Sequence, residues 1–566
     1  MRFISLYLIF FFCCTGAAAQ LFPPVNYPKS EFRNPLSIPI SLSANFGELR
    51  SNHYHMGLDI RTQQRVNLPV HAAADGYIYK IKVEPFGFGQ AVYIRHSNGY
   101  VSLYAHLNAF YPALAAWVKK KQYELERWDV FLDVPPGLFP VKKGDLIAYS
   151  GNMGGSLGPH LHFEIREYPE DINLNPMLFG LPIPDNKPPV VRSLAVYNRN
   201  KSIYEQSPDF YPVKGAGSNY HPDRSTIYTA SPNVGFGISG FDTQTGSGNP
   251  NGIYQAVIYD NQEAVSGFRM NHISYNDTRG INAHIDYRTR ETGGPYYQLL
   301  FKLPGYNHSI YQQKDAGYIR LEDGKPHDIR IELKDAQGNS SSLRFKVQYK
   351  PGEKINPVYE GKMFYPAMID GYETDDCAFY LGEGSLYDSV HVAYQAREVN
   401  TANVVSRLHQ IGTPSVPIQD SITVRIKLTK PVADKNKVLM QWFDKENGEV
   451  KKVQWQGDWA TAAFRNFGSF QLVTDTEPPS ISIPAVAENA NLQRSSRIAV
   501  LVHDNFKQIK NFRATLDGHW LLFSNDKARA FIYHFDEHCS PGKHELSITA
   551  TDEAGNVGEK VLHFVR

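Results

Sequence analysis

Apolar and polar residues alternate with a period of two along most of this chain. Ala91-Val92-Tyr93-Ile94-Arg95 and Tyr100-Val101-Ser102-Leu103-Tyr104 read as strands, and so does Ser421-Ile422-Thr423-Val424-Arg425-Ile426-Lys427-Leu428 much further on. One segment breaks the pattern. Pro112 to Arg127 (PALAAWVKKKQYELER) places Pro at a first helical position and follows it with strong helix formers. Val134-Pro135-Pro136-Gly137 then forces a turn. The pattern predicts a helical insertion, 110–140, inside a β domain.

Breaks between the alternating runs divide the chain further. Asp185-Asn186-Lys187-Pro188-Pro189 reads as a linker, and Glu477-Pro478-Pro479 as another. Each opens a stretch that closes alike, on a strand and a D-x-x-G-N turn. The first runs from Pro326 to Asp335-Ala336-Gln337-Gly338-Asn339, the second from Lys543 to Asp552-Glu553-Ala554-Gly555-Asn556. This is an imperfect internal repeat of one all-β unit. It resembles the closing hairpin of bacterial immunoglobulin-like domains. The expected order is a domain over 35–182, an Ig-like β-sandwich over 183–350, a sandwich-like module over 351–475 and a second Ig-like sandwich over 476–566. The fold class is mainly β.

Composition agrees and narrows the options. Aromatic residues reach 13%, with 43 Gly and 36 Pro, which favours sheets and turns. A net charge of +1 gives no global field for nucleic acid, so no nucleic-acid partner is expected. The first residues read as an export signal: Arg2, the apolar run Ile4 to Cys14, and Ala17-Ala18-Ala19 as a cleavage site, giving a signal peptide over 1–19. No later stretch holds ~18 unbroken apolar residues, so no transmembrane span is expected in the mature chain. Cleavage would leave Cys377 and Cys539, in different modules, read as two separately buried thiols.

Candidate chemistry is concentrated in one span, in three histidine clusters: His53-Tyr54-His55-Met56-Gly57-Leu58-Asp59, Tyr104-Ala105-His106-Leu107, and Gly158-Pro159-His160-Leu161-His162-Phe163-Glu164. Zinc takes imidazole nitrogen and carboxylate oxygen, and a catalytic site keeps a position for water. On extended strands His55 and Asp59 can share a face, as can His160 and His162. Geometry alone leaves open which member of the H-x-H pair would bind metal.

The run Val141-Lys142-Lys143-Gly144-Asp145 through His160-Leu161-His162-Phe163-Glu164 resembles the signature of lysostaphin/LytM-type zinc endopeptidases. So do His55-Met56-Gly57-Leu58-Asp59 (H-x-G-x-D) and Tyr104-Ala105-His106-Leu107. Asn45-Phe46-Gly47, Ala74-Asp75-Gly76 and Asn175-Pro176 agree with it. The resemblance covers residues ~38–182 and implies an antiparallel β-sheet peptidase domain. It further implies one Zn2+ per chain on His55, Asp59 and His162, with His106 and His160 handling protons. The expected activity is hydrolysis of peptide crosslinks in bacterial peptidoglycan, the expected partner. The expected location is periplasmic or extracellular. A non-catalytic scaffold or activator of other wall hydrolases is the alternative.

Other residues read differently. His53 is expected at the surface or behind a ligand, and His71 and His96 in packing or surface roles. Glu164 either orients a ligand or is structural. His534, His538, Cys539 and His544 match no standard zinc spacing and read as a solvated loop. Two departures from the family stand out: Met153-Gly154-Gly155 replaces its usual Thr-Gly run, and the 110–140 insert forms either a surface decoration or a wall beside the groove.

Overall fold

The computed structural model describes residues 21–566 except 307, 353–357 and 446. The signal peptide expected over 1–19 lies outside the described residues. Strands take 46% of the described residues and helix 8%, so the fold is mainly β.

The first domain is built on an antiparallel sheet. Its strands run, side by side, Leu42–Ala44, Leu58–Arg61, His160–Glu167, Tyr100–Ala105, Gln90–His96, Gly76–Val83 and Val130–Asp133. The central position of His160–Glu167 follows from its pattern: Leu161, Phe163 and Ile165 are buried on one face and His162, Glu164 and Arg166 on the other. A strand covered on both faces belongs mid-sheet. Register then brings distant motifs together: His162 pairs with Asp59 on one side and Ala105 on the other.

The helix forms at Pro112–Leu125 with Pro at its start. Leu114, Val118 and Gln122, four apart, face inward. The outward face carries the last module. Lys119 pairs with Asp536 (2.7 Å) and Glu537 (2.9 Å), Glu126 with Arg513 (2.6 Å), and the Tyr123 ring stacks on His538 at 3.8 Å. The insert is thus a bracket between the first and last modules.

Residues 190–349 hydrogen-bond as one continuous twelve-stranded sheet. It is continuous because Asp209–Ala216 pairs with Val190–Asn198 at its start and with Asn219–Pro222 at its end. Two five-stranded sheets and one of two strands fill 362–474, and a three- and a five-stranded sheet fill 480–565. Cys377 and Cys539 are buried and free.

The first two modules are not independent. His272–Ser274, from the second module, pairs with Ile172–Leu174 and so extends the first domain's sheet. Phe46, Tyr54 and Met56, which flank the H-x-G-x-D motif, are buried in the second module's core. No helix among the described residues is long and apolar enough to cross a membrane.

Candidate active site and metal centre

Three strand ends and one loop build the site. Asp59 lies on Leu58–Arg61, directly opposite His162, so both project from the same face. His55 arrives differently from the extended strand expected for 55–59. The strand His53–Tyr54 stops before it, and residues 55–57 are a loop. Gly57 makes that loop possible. A Cβ there would lie 2.5 Å from the Phe163 carbonyl oxygen and 2.8 Å from Glu164 Cγ, so only glycine lets the loop press against the H-x-H strand. His106 follows Tyr100–Ala105 with φ +57°, a left-handed conformation rare for non-glycine residues and concentrated at functional sites.

His55, Asp59 and His162 converge. His55 Nε2 lies 3.0 Å from Asp59 Oδ1 and 3.1 Å from His162 Nδ1, and His162 Nδ1 lies 2.9 Å from Asp59 Oδ1. His160 Nε2 is 3.3 Å from the same oxygen. The rings of His106 and His160 are 4.7 Å apart, centre to centre. All five side chains are buried or nearly so.

Hydrogen bonds behind the rings fix which nitrogens face the centre. A carbonyl oxygen only accepts, so a ring nitrogen bonded to one carries the proton. His55 Nδ1 donates to the Asn45 carbonyl (2.8 Å), leaving Nε2 as a lone pair turned inward. His162 Nε2 donates to Glu164 Oε1 (2.8 Å), leaving Nδ1 inward. His106 Nδ1 donates to the Met153 carbonyl (2.7 Å) and His160 Nδ1 to the Gly158 carbonyl (2.8 Å), so both present Nε2. His160 Nε2 is buried without a hydrogen-bond partner.

These donors fit a zinc ion. Two imidazole lone pairs and a carboxylate oxygen meet within 4.8 Å, and each imidazole is tied from behind, as metal-binding histidines are. The electrostatics agree. Burial opposes ionisation of Asp59, but the surrounding His55, His160 and His162 outweigh it and hold its carboxyl well below the usual range. Burial also opposes a charge on His162, yet Asp59 and Glu164 push it up to about 9. Such a centre draws positive charge to the His162 nitrogen. His106 goes the other way, pushed down to about 3 by burial and then by His160 and His162.

Glu164 turns out to be the hub behind His162. Its side chain is fully buried and takes the Arg166 guanidinium on Oε2 (Nε 2.7 Å, Nη2 2.6 Å). Tyr275, from the second module, donates to Oε1 at 2.7 Å. Burial favours protonation of Glu164, but Arg166, His162 and Tyr275 overcome it and bring it down to about 2. Asn45 is also held by the second module: its side chain donates to the Gly252 carbonyl (2.9 Å) and accepts the Gly252 N–H (2.8 Å). The last module reaches the site's other edge. Asp526 Oδ1 accepts the Gly154 N–H (2.8 Å), and Lys527 Nζ donates to the Ser156 carbonyl.

The remaining histidines divide plainly. His53 is exposed and bonded to the Ser51 carbonyl. His71 bonds the Gly144 carbonyl, and His96 is buried between the Asp75 carbonyl and Ser102. Of the C-terminal group, His534 is exposed, but the solvated-loop reading does not hold for Cys539 and His544. Cys539 is buried, and His544 is buried on a strand, bonded to Asp517 (2.6 Å). Tyr275, Arg50 (3.5 Å from Asp59 Oδ2) and the backbone carbonyl of Met153 went unnoticed in the motifs. None has a local sequence signal, because each meets the site through tertiary contact.

The antiparallel sheet carries this histidine and aspartate set at its strand ends, and similarity to known proteins falls on the same span. Residues 53–123 match Peptidase family M23, and residues 363–475 match the Zu5-like domain. The chain is 36% identical over 131 residues to the DD-carboxypeptidase/endopeptidase Mpg of Neisseria meningitidis serogroup B, covering 23% of this chain and 24% of that protein. It is 31% identical over 160 residues to the peptidoglycan DD-endopeptidase ShyC of Vibrio cholerae, covering 27% and 30%. The catalytic domain of lysostaphin from Staphylococcus simulans matches at 22% identity and TM-score 0.19, covering 25% of this chain and 91% of that domain. The chain spans about a quarter of the length of the first curated relatives it matches. Its similarity to Peptidase family M23 lies within the first domain, at residues 53–123.

Proposed function

We propose that this protein is a zinc-dependent endopeptidase that hydrolyses peptide crosslinks of bacterial peptidoglycan, acting in the periplasm or outside the cell. The observation that carries this reading is the convergence of His55 Nε2, Asp59 Oδ1 and His162 Nδ1, with two further imidazoles alongside. The names of the relatives supply the substrate class.

His55, Asp59 and His162 would hold the zinc. When bound, zinc polarises a scissile carbonyl and lowers the pKa of its water. The chain's own residues handle the protons. His160 presents an unpartnered Nε2 beside the ligand carboxylate and takes the proton from the attacking water. That proton passes from His160 to Nε2 of His106, whose ring lies 4.7 Å away centre to centre and is neutral at rest, and from there to the leaving amine. The Met153 and Gly158 carbonyls stop either ring from turning its other nitrogen inward.

The test uses the purified full chain. The expected result is about one zinc per chain and release of uncrosslinked muropeptides from sacculi, read by mass spectrometry. His162→Ala should lose both the zinc and the release. His106→Ala should keep the zinc and lose at least ~100-fold in rate. Stoichiometric zinc with no muropeptide release from any sacculus would favour the non-catalytic scaffold instead.

A further inference from the structure

The histidine site uses neither copy of the repeated D-x-x-G-N turn, yet the repeat assembles the same chemistry twice. Three aspartates from separate parts of each unit come together. In the first unit these are Asp185 in the linker, Asp242 just past the strand Asn233–Phe241, and Asp335 just past the strand His327–Lys334. In the last unit they are Asp475 in the linker, Asp504 just past Arg497–His503, and Asp552 at the end of Lys543–Asp552. Within each trio the carboxylate oxygens lie within 4.8 Å of one another.

The correspondence extends to single bonds. Asp335 Oδ1 accepts the Asn339 N–H (2.8 Å) and Oδ2 accepts its side-chain amide (2.7 Å). Asp552 accepts the same two groups of Asn556, both at 2.8 Å. Asn339 Nδ2 also reaches the Asp185 carbonyl (3.3 Å), and Asn556 Nδ2 the Asp475 carbonyl (3.1 Å). Both linkers read D-x-x-P-P, Asp185 to Pro189 and Asp475 to Pro479.

Each trio also contains a carboxylate oxygen with nothing to bind. Asp242 is 2% exposed and its Oδ1 has no hydrogen-bond partner; Asp504 is 4% exposed and its Oδ1 likewise has none. Asp185 Oδ2 is a third such atom. A buried acceptor left unpaired costs ~1–3 kcal/mol, and more when charged. Neighbouring anions add repulsion. Asp242 is pushed up to about 7 by burial and then by Asp335 and Asp185, and burial raises Asp335 and Asp475 as well. A bound cation would offset this cost at equivalent positions in both units. The donors are all oxygen, with no imidazole or thiolate, which suits a hard divalent ion and not zinc.

We propose that Asp185, Asp242 and Asp335 form one calcium site and Asp475, Asp504 and Asp552 a second, each clamping an interdomain linker to the unit that follows it. Ca2+ takes carboxylate oxygens in irregular geometry at ~2.3–2.6 Å, and extracellular modules bind it at ~10⁻⁴–10⁻³ M. The sites are separate from the zinc centre and stand whether or not the chain cuts peptidoglycan.

The experiment is calorimetric titration of chelator-treated full chain with CaCl2, together with thermal melting. Two calcium ions per chain are expected, with a melting temperature that rises at millimolar Ca2+. Asp242→Asn and Asp504→Asn should each bind one ion fewer and lose part of that rise. An asparagine amide can donate to the neighbouring carboxylates, so these variants are expected to fold. His162→Ala should keep both ions. No calcium uptake at millimolar concentration, unchanged stoichiometry in the two Asn variants, or an equal effect of Mg2+ would overturn the proposal.

Discussion

Replacing Tyr275 with Phe removes one oxygen atom and tests whether the second module holds the proposed metal ligand His162 in place. Tyr275 directly follows the strand His272–Ser274 that extends the first domain's sheet, and its hydroxyl donates to the Glu164 oxygen that also receives His162. Burial, and then the Glu164 carboxylate, keep that hydroxyl protonated. The Phe ring would fill the same space, 6.2 Å from Phe88 and under the Arg166 guanidinium at 4.8 Å, so packing is conserved. What is lost is a hydrogen bond to a charged group, worth about 1.5–3 kcal/mol. Residues that support metal ligands from behind typically contribute 10–100-fold in affinity, or about 1.4–2.7 kcal/mol, so the two scales agree. Tyr275→Phe should therefore weaken zinc binding about tenfold or more, measured by chelator competition. It should also change the visible absorption of the Co2+-substituted protein, because His162 would be less firmly oriented. Glu164→Gln should cost more. It strips the counter-charge from Arg166, whose side chain is 4% exposed and keeps only the exposed Asp171 as an anionic partner (2.8 Å). Uncompensated buried charges cost ~3–5 kcal/mol. If Tyr275→Phe bound zinc as tightly as the parent, with the same Co2+ spectrum, the Tyr275–Glu164 contact would have no part in positioning His162.

Two further outcomes follow from groups outside the first domain. Asp526→Ala removes the acceptor of the Gly154 N–H and loosens the loop whose Met153 carbonyl orients His106; zinc affinity should stay unchanged while kcat falls several-fold, and an unchanged kcat would show that the last module is only a neighbour. The folded-state pKa of Asp242 is raised from 3.8 to about 7, so the native state holds a proton there that the unfolded chain gives up. Its stabilising contribution is full below pH ~3.8 and is lost as pH rises through about 7. In calcium-free buffer the melting temperature of the parent relative to Asp242→Asn should fall across that window. Saturating Ca2+ should flatten the difference, and a flat difference without calcium would contradict the burial of that carboxylate.

How much of this was legible in the sequence depended on the distance over which each feature is fixed. The strands around Val92 and Leu103, and the helix at Pro112–Leu125, rest on local periodicity and propensity, and they form where the pattern places them. The histidine clusters were legible because one register, His162 against Asp59 and Ala105, brings strand-borne motifs to one place. The loop at residues 55–57 was not legible, since its shape comes from the close approach Gly57 makes to Phe163 and not from any period of two. Neither were the groups that orient the rings. Asn45 is fixed through Gly252, and Glu164 through Tyr275, partners 207 and 111 residues away. Such partners leave no periodicity to read. Their positions carry a consequence that the motifs alone could not suggest. The H-x-G-x-D segment packs Phe46, Tyr54 and Met56 into the second module's core, so the residues that would bind metal sit at an interface between modules. The first domain's sheet supplies the lone pairs, and the second module holds Asn45 and Glu164, the residues that orient His55 and His162.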